Sequence, residues 1–321
     1  MSLAKPVASG EPAVAVVVMS YRRADLIGET IDSLVAQSNL ERACAAVYLA
    51  DDCSPDNTVE IAKRHWTSPL PLRVLSPSRN SGTWGNVNHA IARLAVDFDW
   101  VLLLHDDDLV KPHWLDAMRA AIVAAPDDVG SVCSSWDVLE PNGTITTGED
   151  NPAREREHVR GTADAVRRTL RIGCWWHFSG CAIRTRAFLD IGTFNPMYRQ
   201  CGDEEWLIRG LARGWGAIYI PRTLLVYRQH VGSLSTKSLQ VHQDLRERLW
   251  LLRRFGGLLP AAHSVGLHGR MLQYLARRMA RATVQAQWTA GVNALSLTPT
   301  VAASLVRTLV SRQRDLRADI S

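Results

Sequence analysis

The sequence lacks the features of membrane-spanning and disulfide-stabilised proteins. No apolar stretch in its 321 residues approaches the roughly 20 residues that cross a membrane, and residues 1–11 lack the apolar core of a signal peptide. The six cysteines are scattered, without the short paired spacings of a zinc site or a disulfide framework. We therefore expect a cytoplasmic globular protein with reduced thiols.

Two glycine-rich motifs that bind phosphates are absent as well. The chain has no G-x-G-x-x-G turn, which argues against a dinucleotide dehydrogenase. It also has no G-x-x-x-x-G-K-[ST] phosphate loop. A ligand that carries phosphates would therefore have to be held mainly through a metal ion.

Acidic residues are scarce in the C-terminal quarter of the chain. Residues 241–321 contain twelve arginines and only four carboxylates, whereas the whole chain has a formal net charge of +5. Apolar residues recur there at spacings of three and four, which predicts a helical appendage. Its arginines form either a solvated helical face or a surface for acidic lipid headgroups, nucleic acid or an anionic substrate.

Strand-like and helix-like patterns alternate over the first hundred residues. Stretches with apolar residues at helical spacing separate four runs of strand character, which are 14–19, 45–49, 72–75 and 101–104. This alternation predicts an α/β fold with a mostly parallel sheet and helices on both faces.

Three adjacent carboxylates, Asp106 to Asp108, follow the fourth strand-like run. At close range such groups repel one another by about 1 to 4 kcal/mol per pair, depending on screening. A hard divalent cation is therefore expected to offset their charge. The alternative is a solvated turn that caps the helix opened by Pro112.

Polar residues follow three of the predicted strands at their carboxyl ends. They are Ser20-Tyr21, Asp51-Asp52 and Asp106 to Asp108. Ligands of open α/β sheets bind outside this edge, so the sequence predicts a binding site there. For Asp51 and Asp52 the alternative is a structural cap at the strand end.

Five sequence blocks in their expected order resemble one known family. The blocks are Val16 to Tyr21 with Arg23, Leu49 to Asp56, Asn80 to Gly82 with Asn88, His105 to Pro112, and Gly202 to Arg209 with Tyr227 to His230. Together they resemble the inverting nucleotide-sugar glycosyltransferases of family 2, and the resemblance covers residues 14–235.

The resemblance implies a GT-A fold, a Rossmann-like and mostly parallel sheet flanked by helices. We expect this domain in residues 1–238, with a nucleotide-sugar half at about 12–112 and an acceptor half at about 113–238. Residues 239–321 then form the helical C-terminal region. That region is expected to cover the acceptor side, to form a homodimer or to contact a membrane peripherally.

The resemblance also implies a donor site. Tyr21 matches the ring that stacks on the nucleotide base, and Asp52, beside Asp51, matches the carboxylate that accepts from a base N–H. These features suit a UDP- or dTDP-sugar better than a GDP-sugar. The nucleotide-sugar site implied in this way consists of Ser20, Tyr21, Arg23, Asp51, Asp52, Gly82, Asn88, Asp106 and Arg228.

The metal site implied by the resemblance contains Asp107 and His230, with Mn²⁺ or Mg²⁺ bridging the donor phosphates. Asp106 would orient the ribose or a metal-bound water, and Asp108 is expected to be a structural neighbour. Two departures from the family pattern are visible, His105 in place of a common Asp and Arg22 in place of a common Asn. His105 either adds a softer ligand that favours Mn²⁺ or does not touch the metal.

Asp203 matches the catalytic base of the family. An inverting transfer needs one carboxylate to take the proton of the attacking acceptor hydroxyl. The alternative is that Asp203, Glu204 and Glu205 are only the acidic first turn of a helix.

An acceptor side is predicted around paired tryptophans, whose faces can contact a sugar ring. Core packing is the alternative for these aromatic residues. The predicted acceptor-side residues are Trp84, Trp175, Trp176, His177, Ser179, Glu204 and Glu205.

The sequence thus predicts an inverting, metal-dependent glycosyltransferase. It would move a sugar from a nucleoside-diphosphate sugar to a hydroxyl of a glycan, a lipid-linked acceptor or a secondary metabolite, without a nucleic-acid partner. The alternatives are a noncatalytic protein that binds nucleotide sugars or nucleic acid, and a metal-dependent nucleotidyltransferase.

Overall fold

The first hundred residues alternate strands and helices, as their apolar pattern predicts. The computed structural model describes residues 10–230, 242–284 and 288–310. The strands of this first part are β1 (Val14–Ser20), β2 (Ala46–Asp51), β3 (Leu72–Leu75) and β4 (Trp100–His105). Its helices are α1 (Ile27–Val35), α2 (Leu40–Ala43), α3 (Thr58–His65) and α4 (Gly82–Leu94).

The middle of the chain adds six strands and four helices. The strands are β5 (Leu109–Val110), β6 (Val129–Leu139), β7 (Ile145–Thr146), β8 (Glu157–Val159), β9 (Ala182–Arg184) and β10 (Gly216–Arg228). The helices are α5 (Trp114–Val123), α6 (Ala163–Ile172), α7 (Thr185–Ile191) and α8 (Gly202–Ala212).

The C-terminal part is helical, as predicted. It contains α9 (Gln243–Phe255), a 3₁₀ turn (Gly256–Leu258), α10 (Ala261–Val284) and α11 (Trp288–Val310). Within the described ranges, no helix combines the length and apolar character needed to cross a membrane. The cytoplasmic location stays a prediction.

The ten strands form one sheet in the order β3-β2-β1-β4-β9-β6-β10-β5, with β7 beside β6 and β8 beside β10. Strands β1 to β4 pair in parallel, which matches the predicted α/β arrangement. The second part of the sheet is mixed, because β9 lies antiparallel to both β4 and β6. All seven residues of β1 are buried, which explains why its sequence is apolar without alternation.

The register of the parallel strands brings their carboxyl ends together. Ser20, the last residue of β1, is opposite Asp51, the last residue of β2. On the other side of β1, Met19 is opposite His105 at the end of β4. The polar residues that follow these strands therefore start from one edge of the sheet, as the sequence predicts.

The core of this sheet lies against the apolar faces of its helices. Ile27, Ile31 and Leu34 recur at helical spacing on α1, and all three are fully buried in the cluster that contains Leu102 and Leu104 of β4. Burial of each such side chain stabilises the fold by about 1.5 to 3 kcal/mol. This packing supports the strand ends that carry the polar residues.

The chain divides into two compact units. The first consists of Met1–Gly161, Trp176–Pro196 and Gly214–Gln229, and the second of Thr162–Trp175, Met197–Arg213 and His230–Ser321. The second unit therefore joins α6 and α8 to the C-terminal helices. The predicted domain boundary at residue 238 lies outside the described residues and stays a prediction.

We predict that Leu102→Ala lowers the free energy of unfolding by about 3 kcal/mol, because it removes a fully buried side chain and leaves a cavity in the sheet core. Urea denaturation measures this loss. The matched control is Val96→Ala, since Val96 is 81% exposed and its truncation should change stability by less than about 0.5 kcal/mol. Equal losses for the two variants would contradict the assignment of the core.

Candidate active site

The ends of β1 and β4 are joined by hydrogen bonds and ion pairs. The backbone N–H of Tyr21 donates to Asp106 Oδ2 at 2.9 Å. Arg23 Nε lies 3.4 Å from Asp106 Oδ1, and Arg23 Nη2 lies 3.5 Å from Asp107 Oδ2. The structure therefore brings Tyr21, Arg23, Asp106 and Asp107 together, as the sequence predicts.

Asp106 and Asp108 are buried carboxyl groups in a strongly acidic setting. Burial and the charge of Asp107 raise the pKa of Asp106 to about 7, and Arg23 opposes this shift. Burial and Asp107 also raise the pKa of Asp108 well above its ordinary value. The ionised forms of these groups lack sufficient compensation, so the site favours an additional positive charge.

The residues at the end of β4 fit a divalent metal ion. One potential ligand atom each from His105, Asp107 and Asp108 lies within 4.8 Å of the other two. His105 Nε2 and Asp108 Oδ2 are buried, and neither has a hydrogen-bond partner among the residues that the structure describes. Burial lowers the pKa of His105, which keeps the imidazole neutral and able to ligate. One imidazole and two carboxylates form a suitable donor set for Mn²⁺ or Mg²⁺.

Asp108 has a larger part in this cluster than the sequence suggests. The family pattern predicts only a structural neighbour of the metal ligands, and its Oδ1 does accept from the Arg228 backbone N–H at 3.0 Å. Its other oxygen, Oδ2, has no hydrogen-bond partner in the described part of the chain, and one oxygen of Asp108 belongs to the cluster. A third consecutive acid after a buried strand is the feature of the sequence that marks Asp108 as a candidate ligand.

Asp51 and Asp52 act as caps for neighbouring loops. Asp51 accepts from the Ser54 backbone N–H at 2.9 Å. Asp52 accepts from the Ser81 N–H and hydroxyl at 2.8 and 2.9 Å, and from the Gly82 N–H at 2.8 Å. Gly82 has a φ of +74°, a conformation that favours glycine. These contacts support the capping alternative, and recognition of a base N–H by Asp52 stays a prediction.

The remaining residues predicted for the donor site differ in their surroundings. The Tyr21 side chain is 41% exposed, so its ring is free to stack on a base, whereas Ser20 is buried. Arg228 Nη2 pairs with Glu29 Oε2 at 2.6 Å, so contact with a phosphate would compete with this ion pair.

Arg22 has a φ of +50°, which asparagine adopts more easily than arginine, and this explains why Asn is common there.

Asn88 is occupied by a backbone contact within the first unit. Its Nδ2 donates to the Phe194 carbonyl at 2.9 Å, and its Oδ1 accepts from the Phe194 N–H at 2.8 Å. The side-chain amide therefore anchors α4 to the loop after α7. The contact of Asn88 with the nucleotide sugar stays a prediction.

Most of the aromatic residues predicted on the acceptor side are packed inside the protein. Trp84 is buried and stacks on Phe194 with ring centroids 5.0 Å apart. Trp176 is also buried. In the second unit, Trp175 Nε1 donates to Thr169 Oγ1 at 3.0 Å. These positions support the core-packing alternative for Trp84 and Trp176, whereas Trp175 is half-buried and its acceptor contact stays a prediction.

His177 and Ser179 lie in the first unit next to the end of β4. A ring nitrogen of His177 lies 3.0 Å from the Ser179 carbonyl, and burial lowers the pKa of His177 to about 4. Ser179 Oγ accepts from the His105 backbone N–H at 3.0 Å. Ser179 therefore holds the backbone of His105, the first residue of the candidate metal cluster.

The second unit contains Asp203 in the first turn of α8. Asp203 Oδ1 accepts from the Glu204 backbone N–H at 2.8 Å. Burial, followed by the charges of Glu204 and Glu247, raises the pKa of Asp203 to about 7, although backbone N–H groups oppose the shift. A carboxylate with this pKa is a stronger base than an ordinary aspartate.

The two acids after Asp203 have partners in the second unit. Glu204 lies 3.5 Å from Arg248 Nη2. Glu205 is fully buried and bonds to Arg209 at 2.9 Å and to Arg254 at 3.1 Å. These contacts give Glu205 a structural role, so Asp203 is the best placed of the three acids for proton transfer. His230, which is also in the second unit, is partly buried, and its ligation of metal stays a prediction.

Sequence comparison decides the family. A family model described as glycosyl transferase family 2 matches residues 15–189, more than half of the chain. The chain belongs to glycosyl transferase family 2. This confirms the predicted family, a family of glycosyltransferases; the first four sequence blocks lie within the matched residues, and the fifth lies beyond them.

Two curated proteins support this family assignment. An uncharacterised glycosyltransferase of Mycoplasma pneumoniae is 30% identical over 118 residues, which are 36% of this chain and 38% of that protein. The succinoglycan biosynthesis protein ExoO of Rhizobium meliloti is 35% identical over 108 residues, 33% of this chain and 29% of ExoO. The matches therefore span less than half of the length of these relatives.

Two solved structures share the fold of this chain. S. aureus TarS 1–349 has a TM-score of 0.57 at 16% identity, covering 94% of this chain and 89% of TarS 1–349. The mannosyltransferase PcManGT from Pyrobaculum calidifontis, in complex with GDP-Man and Mn²⁺, has a TM-score of 0.55 at 18% identity. The match covers 97% of this chain and 90% of PcManGT. The fold of this family 2 chain is therefore of the GT-A type, as predicted.

We predict that saturating Mn²⁺ raises the melting temperature of the wild-type protein by about 5 °C, because a cation that binds only the folded state offsets the buried carboxylates. Asp107→Asn should abolish most of this rise. Asp127→Asn is the matched control, since Asp127 is almost fully exposed before β6, at the opposite edge of the sheet. A full Mn²⁺ shift in Asp107→Asn would contradict the metal assignment.

Proposed function

We propose that this family 2 protein is an inverting, metal-dependent glycosyltransferase that uses a nucleoside-diphosphate sugar. The observation that carries the proposal is the cluster of His105, Asp107 and Asp108 at the end of β4, beside the exposed ring of Tyr21. Structures of TarS in complex with UDP and with UDP-GlcNAc, and of PcManGT with GDP-Man and Mn²⁺, support a nucleotide-sugar donor and a divalent cation.

The donor site is proposed at the carboxyl ends of β1, β2 and β4. Asp107 would hold Mn²⁺ or Mg²⁺ with the neighbouring ligands, and when bound, the cation neutralises charge on the diphosphate leaving group. Tyr21 stacks on the base, and Arg23 holds the carboxylates of Asp106 and Asp107 in place through its two ion pairs. We propose a UDP- or dTDP-sugar as donor, since a planar phenol and a carboxylate acceptor suit a pyrimidine.

Asp203 is proposed as the base of the reaction. It takes the proton of the acceptor hydroxyl while that oxygen attacks the anomeric carbon and the bond to the diphosphate breaks. A single carboxylate is sufficient for this displacement, which inverts the anomeric centre. The raised pKa of Asp203 supports this role, because it increases the basicity of the carboxylate at neutral pH.

The acceptor is proposed to be a hydroxyl of a glycan, a lipid-linked molecule or a secondary metabolite.

The C-terminal helices expose large apolar side chains, including Val265 on α10 and Leu295 and Val306 on α11. These side chains, together with the arginines of this region, are consistent with either a homodimer or peripheral contact with a membrane.

We predict that Asp203→Asn lowers the rate of sugar transfer by about 100-fold or more, because it removes the proton acceptor. The dissociation constant for UDP should stay within about twofold, since binding does not need the base. Release of the nucleoside diphosphate measures transfer, and calorimetry measures binding. Full transfer by Asp203→Asn would contradict the base assignment, and release of pyrophosphate by the wild type would indicate a nucleotidyltransferase.

The pH dependence of transfer supplies a second prediction. Asp203 must be ionised to act, so kcat/KM should rise about tenfold per pH unit below the pKa of about 7 and level off above it. Initial rates measured between pH 5 and 9 define this rising acid limb of the pH profile. The donor must keep one protonation state over the range used. An acid limb near pH 4 would instead indicate a carboxylate with an ordinary pKa as the base.

A further inference from the structure

Glu247 is a fully buried carboxylate on α9 whose partners are almost all backbone groups. Its Oε1 accepts from the Arg199 N–H at 2.7 Å, and its Oε2 accepts from the Gln200 and Cys201 N–H groups at 2.8 and 2.7 Å. Gln243 Nε2 donates a fourth hydrogen bond at 2.7 Å. Each oxygen therefore accepts two hydrogen bonds, which compensates a fully buried charge.

The backbone held by Glu247 leads directly into α8. Residues 199–201 precede the helix, and the first N–H groups at a helix start have no partner within the helix. A negative charge near this end is also favoured by the helix dipole. Since Asp203 is the second residue of α8, Glu247 fixes the segment of backbone from which Asp203 projects.

The packing of α8 against α9 does not depend on Glu247 alone. Arg254 on α9 bonds to the buried Glu205 of α8 at 3.1 Å. Tyr198 and Trp250 make an edge-to-face contact with ring centroids 5.7 Å apart. The Arg254–Glu205 contact thus joins the two helices independently of Glu247, while Trp250 and Glu247 contact the segment before α8.

We propose that Glu247 is a positioning residue for the Asp203 base, through which the C-terminal helical region acts on sugar transfer. The inference rests on the proposed function of Asp203. It assigns a second role to a region that the sequence predicts only as a cover, a dimer contact or a membrane contact.

The charge of Glu247 also acts on the pKa of Asp203. The titratable and charged groups that act on Asp203 and its neighbour Cys201 within the second unit are Glu204, Glu247 and Arg248. Burial is the main cause of the raised pKa of Asp203, and the charges of Glu204 and Glu247 add to it. Removal of the Glu247 charge should therefore lower the pKa of Asp203 and move the acid limb of transfer to lower pH.

The experiment compares Glu247→Gln with Glu247→Asp in the full chain. The amide of Glu247→Gln retains one oxygen and places N–H groups against N–H donors, so kcat should fall about 10- to 100-fold through misplacement of the base. The KM for the donor should stay within about twofold. The acid limb should move down by about 0.5 pH unit, the effect of one screened charge at several ångströms.

A direct titration of the Asp203 carboxyl group measures its midpoint without relying on sugar transfer. The ¹³C shift of its side-chain carboxyl, assigned by its loss in Asp203→Asn, reports the titration midpoint in each variant. Glu247→Asp keeps the charge, so it should retain the wild-type midpoint and recover part of kcat. Asp164→Asn is the matched control, because Asp164 is an exposed carboxylate of the same unit, and it should change neither value.

The proposal would be overturned if Glu247→Gln had a kcat within about twofold of the wild type and an unchanged Asp203 midpoint. If Glu247→Gln does not fold, Gln243→Ala removes one donor to Glu247 and should give a smaller decrease of kcat, whereas an unchanged kcat would count against the proposal. A wild-type protein without any sugar transfer would overturn the proposed function. In that case, the Asp203 midpoint in Glu247→Gln still tests the link between the two residues, because the proposal predicts a lower midpoint than in the wild type and an unchanged midpoint would overturn it.

Discussion

The concentration of negative charge at the end of β4 is the constraint on which the first unit depends. Buried carboxyl groups at Asp106 and Asp108 flank Asp107, and burial raises the pKa of both. Arg23 compensates only part of this charge. The Tyr21 N–H, the Arg228 N–H and the well-packed strands hold the acids in place. The structure thus maintains an arrangement that is unfavourable in isolation and that a divalent cation would stabilise.

Three acids of the second unit differ in how their charges are compensated. Glu205 is neutralised by arginines, Glu247 is satisfied by backbone N–H groups, and Asp203 has fewer compensating groups and a pKa raised to about 7. The difference follows from the partners that each position meets and not from the residue type. A carboxylate that remains undercompensated is suited to proton transfer, whereas its two satisfied neighbours hold the surrounding backbone.

Much of the fold follows from the sequence, because β1, β2 and β4 are covered on both faces and their sequences are therefore continuously apolar. The candidate metal cluster follows only in part from the sequence: its three residues are close together in the chain, but the family pattern predicts Asp107 with His230 as ligands, leaves His105 open and makes Asp108 a structural neighbour. Other contacts of the site cannot be predicted from the sequence, as Asp52, Asn88 and Glu247 show. The hydrogen-bond partners of these residues are about 30 to 106 positions away in the chain, and only tertiary structure brings them together. Paired tryptophans next to small residues look the same in sequence whether they face a sugar or the core.

A crystal structure of the protein with UDP and Mn²⁺ tests the central claim most directly. The account predicts a metal ion about 2.0 to 2.6 Å from an oxygen of Asp107 and from the diphosphate, with the uracil ring against Tyr21. A diphosphate bound elsewhere, with no metal at His105, Asp107 and Asp108, would contradict it.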